Sequence, residues 1–302
     1  MEDFRKPFPA LTPVQRLHLE VYGYVVIEKA ISDDRVETLL ENILEIERVY
    51  RATGDYPYGI VANAHSRADP DYFRIDNLAH ILPCFFDYLT DPYLVGMAQE
   101  IVGTHVRLLQ SDAHVVGYPQ EKMALQGYGF HAGWHPESGS TTNGLYHCSF
   151  IKTLTNLTDL GPDDGGTAVI PGSHKLAGID RRDLIETAAQ DPARLLHQVV
   201  APAGSTLLFF ESLLHSGGLC TSGKTRVFIL GGYWPSMFQA HQGYEPDEEF
   251  LKTVPLEYHP VLTGSRGFQL EKFTRELNAP AERYPFTPAQ DSSAGPHQVE
   301  SR

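Results

Sequence analysis

Cysteine is scarce in this chain: three residues in 302, Cys84, Cys148 and Cys220, odd in number and far apart. A disulfide framework is therefore not expected. Long apolar runs are missing too, so no segment reads as a membrane span. The N-terminal MEDFRKPFPALTP places charges and prolines where a secretory signal needs an apolar stretch, and a cytoplasmic location is the expectation. Positive charge is in short supply, with 24 Lys and Arg against 38 Asp and Glu and a formal net charge of −14. That balance excludes general affinity for nucleic-acid polymers or anionic membranes. An anionic small ligand must be held by a few local cations working against the overall field.

What is present is ordinary for a globular enzyme: 42% apolar and 21% charged residues. Thr12-Pro13-Val14-Gln15 forms a capping box with proline at the first helical position. The helix it starts leads into the β-rich run from Tyr22 to Ile27. Ser32 begins a longer helix, with Val36, Leu39, Leu40, Ile43 and Leu44 at helical spacing. Asp91-Pro92 opens another over 92–102, closed by Gly103.

From about residue 105 the character changes. VRLLQSDAHVVGY, LYHCSFIKTLTNLTD, GTAVIPGSH, STLLFF and RVFILGGYW are β-type runs separated by Gly, Pro and Asp turns. The fold class expected is mainly β with flanking helices, a double-sheet jelly roll. A single domain over 1–278 comprises a helical layer (11–104), a jelly-roll core (105–235) and a C-terminal segment (236–278). AGIDRRDLIETAAQDPARLL, 177–196, reads as a helical insertion, and 279–302 as a loose tail.

Fourteen histidines supply ample metal-ligand candidates. The stretch GFHAGWHPES contains His131-Ala132-Gly133 and His135-Pro136-Glu137; further on, ESLLHSGGLCTSGKTRVFI brings His215 and, eleven residues later, Arg226. Non-haem iron oxygenases use two imidazoles and usually one carboxylate on one face of the metal, leaving the other positions for cosubstrate and dioxygen. Alternate residues of a strand share a face, which suits a histidine and its neighbour two along. A guanidinium suits a carboxylate, which it grips through two parallel hydrogen bonds.

On these residues the sequence resembles the phytanoyl-CoA dioxygenase-like branch of Fe(II)/2-oxoglutarate enzymes. The resemblance spans roughly 11–235 and rests on GYVVIEKAIS, NLTDLGPDDGGTAVIPGSHK, AGSTLLFFESLLH and the His215-to-Arg226 spacing. It implies a double-stranded β-helix of the cupin-like kind that binds Fe(II), 2-oxoglutarate and O2. It also implies His215 as distal iron ligand and Arg226 as the 2-oxoglutarate clamp. Family members show His-x-Asp at the proximal motif, and here two frames compete. In one, His131 is the ligand and Gly133 replaces the Asp; in the other, the pair is His135 and Glu137. Four residues separate the frames, an even number, so periodicity cannot choose. Pro136 argues mildly against the second.

If Gly133 holds the carboxylate's place, one coordination position and one negative charge are missing, and chloride restores both. Iron-dependent halogenases share this pattern. Their resemblance implies chlorination of an aliphatic C–H in a small metabolite, with a nucleotide of an antibiotic pathway as one match; an Fe(IV)-oxo species abstracts hydrogen and the radical recombines with chlorine. The alternative is a hydroxylase with Glu137 or another carboxylate as third ligand, and a third is a binding module that has lost its iron.

Other residues carry weaker signals. His135, outside the ligand role, is a substrate-facing candidate. Lys175, Arg181 and Arg182 either meet a phosphate or are solvated helix charges, the commoner case. His114 lines the cavity or is a core histidine. His147 and Cys148 read as wall, His174 as structural. Leu207, Phe209 and YWPSMF are pocket candidates of undetermined face. Gly218–Thr225 matches GxxxxGK[ST], but the β-rich run after it offers no helix to face phosphates, so the segment reads as a hairpin loop presenting Arg226. No G-x-S-x-G elbow occurs. Oligomeric state is not legible.

Overall fold

The computed structural model describes residues 10–60, 67–117, 124–133, 139–142, 145–148, 150–176, 179–239 and 244–264. In chain order the first elements are α1 (Pro13–Tyr22), β1 (Tyr24–Ile27), α2 (Asp33–Thr53), β2 (Arg67–Ala68), β3 (Tyr72–Asp76), α3 (Pro83–Leu89), α4 (Pro92–Val102) and β4 (Val106–Val116). There follow β5 (Gly139–Thr142), β6 (Leu145–Cys148), β7 (Ile151–Asn156), β8 (Ala168–Val169), α5 (Arg181–Gln190) and α6 (Pro192–Leu195). The last are β9 (His197–Gln198), β10 (Thr206–Phe210), β11 (His215–Ser216), β12 (Arg226–Pro235), α7 (Glu248–Thr253) and α8 (His259–Thr263).

Local chemistry sets the helix ends. The Thr12–Gln15 capping box forms with both reciprocal bonds, and Gly23 closes α1 in the left-handed conformation. Asp91 caps α4 through the Tyr93 and Leu94 N–H groups, and Gly103 ends it. Ser32 holds the N-cap position of α2 without a side-chain bond. The buried stripe of α2 is Val36, Leu39, Ile43 and Ile46; Leu44, expected inside, is 39% exposed, because this face packs on a narrower seam. Within the expected insertion, α5 and α6 are helical.

A seven-stranded antiparallel sheet runs β1-β10-β7-β12-β4-β3-β2, and a smaller one runs β11-β8-β9. Strand alternation divides the large sheet into two faces. Leu154, Leu207, Phe209, Phe228 and Leu230 turn toward Val169, Val199 and Leu213 and make the inner core. Ala113, Val115, Leu208, Phe210, Val227 and Ile229 face the other way, against Leu39, Ile43, Phe85, Tyr88 and Leu94 of the helices. Each fully buried Leu, Ile or Phe stabilises by about 1.5–3 kcal/mol, so both faces hold the large sheet in place. This is the expected jelly roll with helices outside.

Three details differ from the sequence reading. The segment before 105 contributes β1, β2 and β3 to the large sheet, beyond its helices. The expected single strand over Leu145–Leu157 is two, β6 pairing with β5 in a hairpin and β7 joining the large sheet. Phe150, directly before β7, packs on Trp234 with ring centroids 5.8 Å apart. Within YWPSMF, Tyr233 faces the helices, while Met237 and Phe238 are 67% and 44% exposed, so this stretch is not a pocket wall throughout. The tail at 279–302 lies outside the described residues, as do His135 and Glu137.

Candidate metal and cosubstrate site

The two motif histidines meet at the mouth between the sheets. His131 and His215 form an antiparallel backbone bridge, each N–H donating to the other's carbonyl at 2.9 and 2.8 Å. Their rings lie 4.3 Å apart, centroid to centroid. The Nδ1 of His131 is 3.1 Å from the Gly129 carbonyl, and that of His215 is 2.7 Å from the Leu213 carbonyl. With Nδ1 protonated toward those oxygens, each imidazole keeps its Nε2 lone pair for a metal, the arrangement by which backbone carbonyls orient ligating histidines. Burial, with His131 and Lys152 adding to it, holds the His215 pKa well below its usual value, so this ring is neutral as a ligand must be.

Gly133 stands two residues beyond His131. Its N–H donates to the Glu211 carbonyl at 2.6 Å, and its own carbonyl accepts from Arg181 Nη2 at 3.2 Å. A Cβ placed here would lie 2.2 Å from Glu211 Cγ. The glycine is required by this approach and not by a turn, since its φ is not positive. Glu211 itself is buried and pairs with buried Lys152 at 3.0 Å.

Deeper on the inner face, Arg226 is 6% exposed. Nη1 donates to the Gly165 carbonyl at 2.6 Å, and Nη2 to Asn156 Oδ1 and Thr167 Oγ1 at 3.3 and 3.0 Å, while Nε has no partner. Among the described residues no carboxylate reaches ion-pair distance of this guanidinium, and burial pulls its pKa down to about 10. It lies over the Phe228 ring at 4.3 Å, and His114 stacks on the same ring at 4.6 Å. His114 is buried and neutral, its pKa held well down by burial, with Arg74, Arg226 and Lys152 adding. Nδ1 meets the Tyr72 hydroxyl at 2.7 Å and the buried Nε2 is unpartnered. Beyond it, Arg74 holds Asp76 and Asp112 at 2.6 and 3.0 Å, and the Tyr244 hydroxyl lies within hydrogen-bond distance of both carboxylates.

These residues fit the expected groups. Two adjacent imidazoles present free Nε2 atoms for iron, and a buried guanidinium without a counter-ion suits one carboxylate of a dianionic cosubstrate. Among the described residues no cluster of three or more His, Cys, Asp or Glu is placed to hold a metal ion.

The remaining candidates sort plainly. Arg181 reaches the site through Gly133; Lys175 and Arg182 are exposed. His174 is structural, its Nε2 3.4 Å from the Glu20 carbonyl and its ring where a side chain on Gly23 would have to go. Lys224 pairs with Asp164, and strand β12 follows it in place of a helix, which leaves no phosphate cradle. Sequence reasoning missed Glu211, Lys152, Asn156 and Thr167. The first three had a signal: Lys152 and Asn156 share one strand face with Leu154, and Glu211 directly follows STLLFF.

Comparison with known proteins agrees with this geometry. The family model described as phytanoyl-CoA dioxygenase (PhyH) matches residues 19–228. No curated protein matches the chain. Among solved structures, HygX from Streptomyces hygroscopicus with nickel and 2-oxoglutarate bound superposes with a TM-score of 0.59 at 20% identity, over 76% of this chain and 89% of that one. EctD from S. alaskensis with bound Fe gives 0.58 at 20% identity, over 87% and 90%. The non-heme alpha-ketoglutarate-dependent carbocyclase SnoK of nogalamycin biosynthesis gives 0.56 at 17%, over 87% and 97%. At such identities the superpositions establish the shared fold, while the family match covers well over half the sequence. The chain belongs to the phytanoyl-CoA dioxygenase family and is an Fe(II)/2-oxoglutarate-dependent oxidoreductase.

Proposed function

We propose that this enzyme chlorinates an aliphatic C–H of a small metabolite. His131 and His215 serve as its only protein ligands to iron, and chloride takes the coordination position at Gly133. One observation carries the reading: the two motif histidines face each other, and the residue two beyond His131 offers no donor atom. Bound iron, 2-oxoglutarate and O2 supply oxidation of an unactivated C–H bond, with 2-oxoglutarate decarboxylated to succinate.

The chain's own residues bind, orient and exclude water. His131 and His215 fix the metal through Nε2, with their Nδ1 protons held by Gly129 and Leu213. Arg226 grips the distal carboxylate of 2-oxoglutarate, and Asn156, Thr167 and the Gly165 carbonyl keep the guanidinium aimed. Phe228, Phe209 and Leu154 keep that end of the cavity dry, which strengthens the charge pairing. Nucleotides are the first substrates to assay, because Arg181, an exposed cation, bonds to the Gly133 carbonyl beside the site.

The test is product analysis with Fe(II), 2-oxoglutarate and O2 in chloride and in bromide buffer, across a panel of nucleotides and other small metabolites. Chlorinated and brominated products are expected. Insertion of one oxygen at saturating chloride defeats the reading and favours a hydroxylase using a carboxylate ligand such as Glu137.

A further inference from the structure

The glycine at 133 and the glutamate at 211 are shaped to each other. A Cβ on residue 133 would sit 2.2 Å from Glu211 Cγ, 3.2 Å from its Cβ and 3.3 Å from its Cδ, so the Glu211 side chain fills the volume a residue-133 side chain needs. Neither partner can step aside cheaply. The residue-133 backbone is fixed by the Glu211 carbonyl at 2.6 Å and by Arg181. Glu211 is 5% exposed and held by Lys152, itself 7% exposed, at 3.0 Å. Moving the carboxylate away would strand a buried ammonium, which is costly.

We propose that Glu211 is a positioning residue: its side chain occupies the volume a residue-133 side chain needs, and so keeps residue 133 from contributing a donor to a metal held by His131 and His215. The inference deepens the reading above and rests on His131 and His215 as the metal's protein ligands. The missing carboxylate is then enforced by the fold, and reverting residue 133 alone does not recreate a three-ligand site. Glu211 and Lys152 together form a neutral, rigid wall at that place.

A double-mutant cycle of Gly133→Asp and Glu211→Ala tests this, read as apoprotein Tm and as affinity for Co(II) added as probe. Gly133→Asp alone is expected to lower Tm by roughly 3–10 °C and to weaken Co(II) binding roughly 10-fold or more. In the Glu211→Ala background the same change should leave Tm unaltered and tighten Co(II) binding, since a third protein donor now has room. Should Glu211→Ala unfold because Lys152 is stranded, all four proteins are remade with Lys152→Met. Equal Tm losses from Gly133→Asp in both backgrounds, or Gly133→Asp alone with unchanged Tm and tighter Co(II) binding, overturn the proposal. Coupling without any halogenated product would defeat the chlorination reading alone; halogenated product without coupling would defeat this one alone.

Discussion

Replacing Arg226 with methionine separates a binding role from a packing role. The guanidinium is buried with no carboxylate partner among the described residues, and the fall of its pKa to about 10, at 1.36 kcal/mol per pK, corresponds to about 3 kcal/mol against the charged form. That group stays charged at neutral pH, so the fold carries the penalty throughout the working range. Removing it relieves about 3 kcal/mol, while the acceptors at Gly165, Asn156 and Thr167 each lose a donor, costing about 1 kcal/mol apiece. The two nearly cancel, and the Arg226→Met apoprotein should melt within a few degrees of wild type. Cosubstrate binding should respond very differently. A buried carboxylate left without its partner costs about 3–5 kcal/mol, a loss of roughly 10²–10⁴ in affinity. Melting with and without 2-oxoglutarate, with Co(II) as metal, provides the assay. At a concentration near 100 Kd the wild type gains about 2.7 kcal/mol, a rise of roughly 5–10 °C, and the variant should gain nothing. A variant that loses more than about 3 kcal/mol as apoprotein yet keeps the 2-oxoglutarate shift would refute the reasoning.

Acid sensitivity follows from His174, whose pKa is pushed down to about 4 by burial, with Lys175 adding. The unfolded chain takes up a proton near pH 6.5 that the folded one refuses, so stability falls as pH drops from there toward 4, by up to about 3 kcal/mol for this group. His114 and His215 act in the same direction, and urea titrations across that window should show His174→Asn with a shallower slope. Tyr244→Phe takes a donor from the buried Asp76 and Asp112 carboxylates and should cost roughly 1–3 kcal/mol in urea unfolding. Lys224→Ala, in the loop that mimics a phosphate cradle, removes an exposed ammonium from Asp164, whose carboxylate keeps the Gly161 N–H; it should leave succinate release unchanged and stability within about 1 kcal/mol.

The sequence made the fold legible wherever local chemistry decides it. The Thr12 box, the Asp91 cap and the closing Gly103 are local devices, and each helix forms where they place it. Tyr72–Asp76 was illegible as a strand, because Arg74 and Asp76 look solvated until β4 supplies His114 and Asp112 opposite them. At the site, the family resemblance pointed to His215 and Arg226 and left His131 in competition with His135; the structure brings His131 and His215 together in one backbone bridge. Glu211 was not: its relation to Gly133 crosses 78 positions of chain and depends on a close approach that no periodicity encodes. The same holds for Arg181, which reads as a solvated helix charge until α5 carries it to the Gly133 carbonyl.

The most direct measurement is the iron coordination sphere itself, by anaerobic crystallography or X-ray absorption of the Fe(II)/2-oxoglutarate complex in chloride. The account predicts two imidazoles, from His131 and His215, and a chloride scatterer beside Gly133, replaced by bromide when the buffer is exchanged. A carboxylate oxygen of Glu137 or Glu211 bonded to iron, with no halide at any concentration, would contradict it.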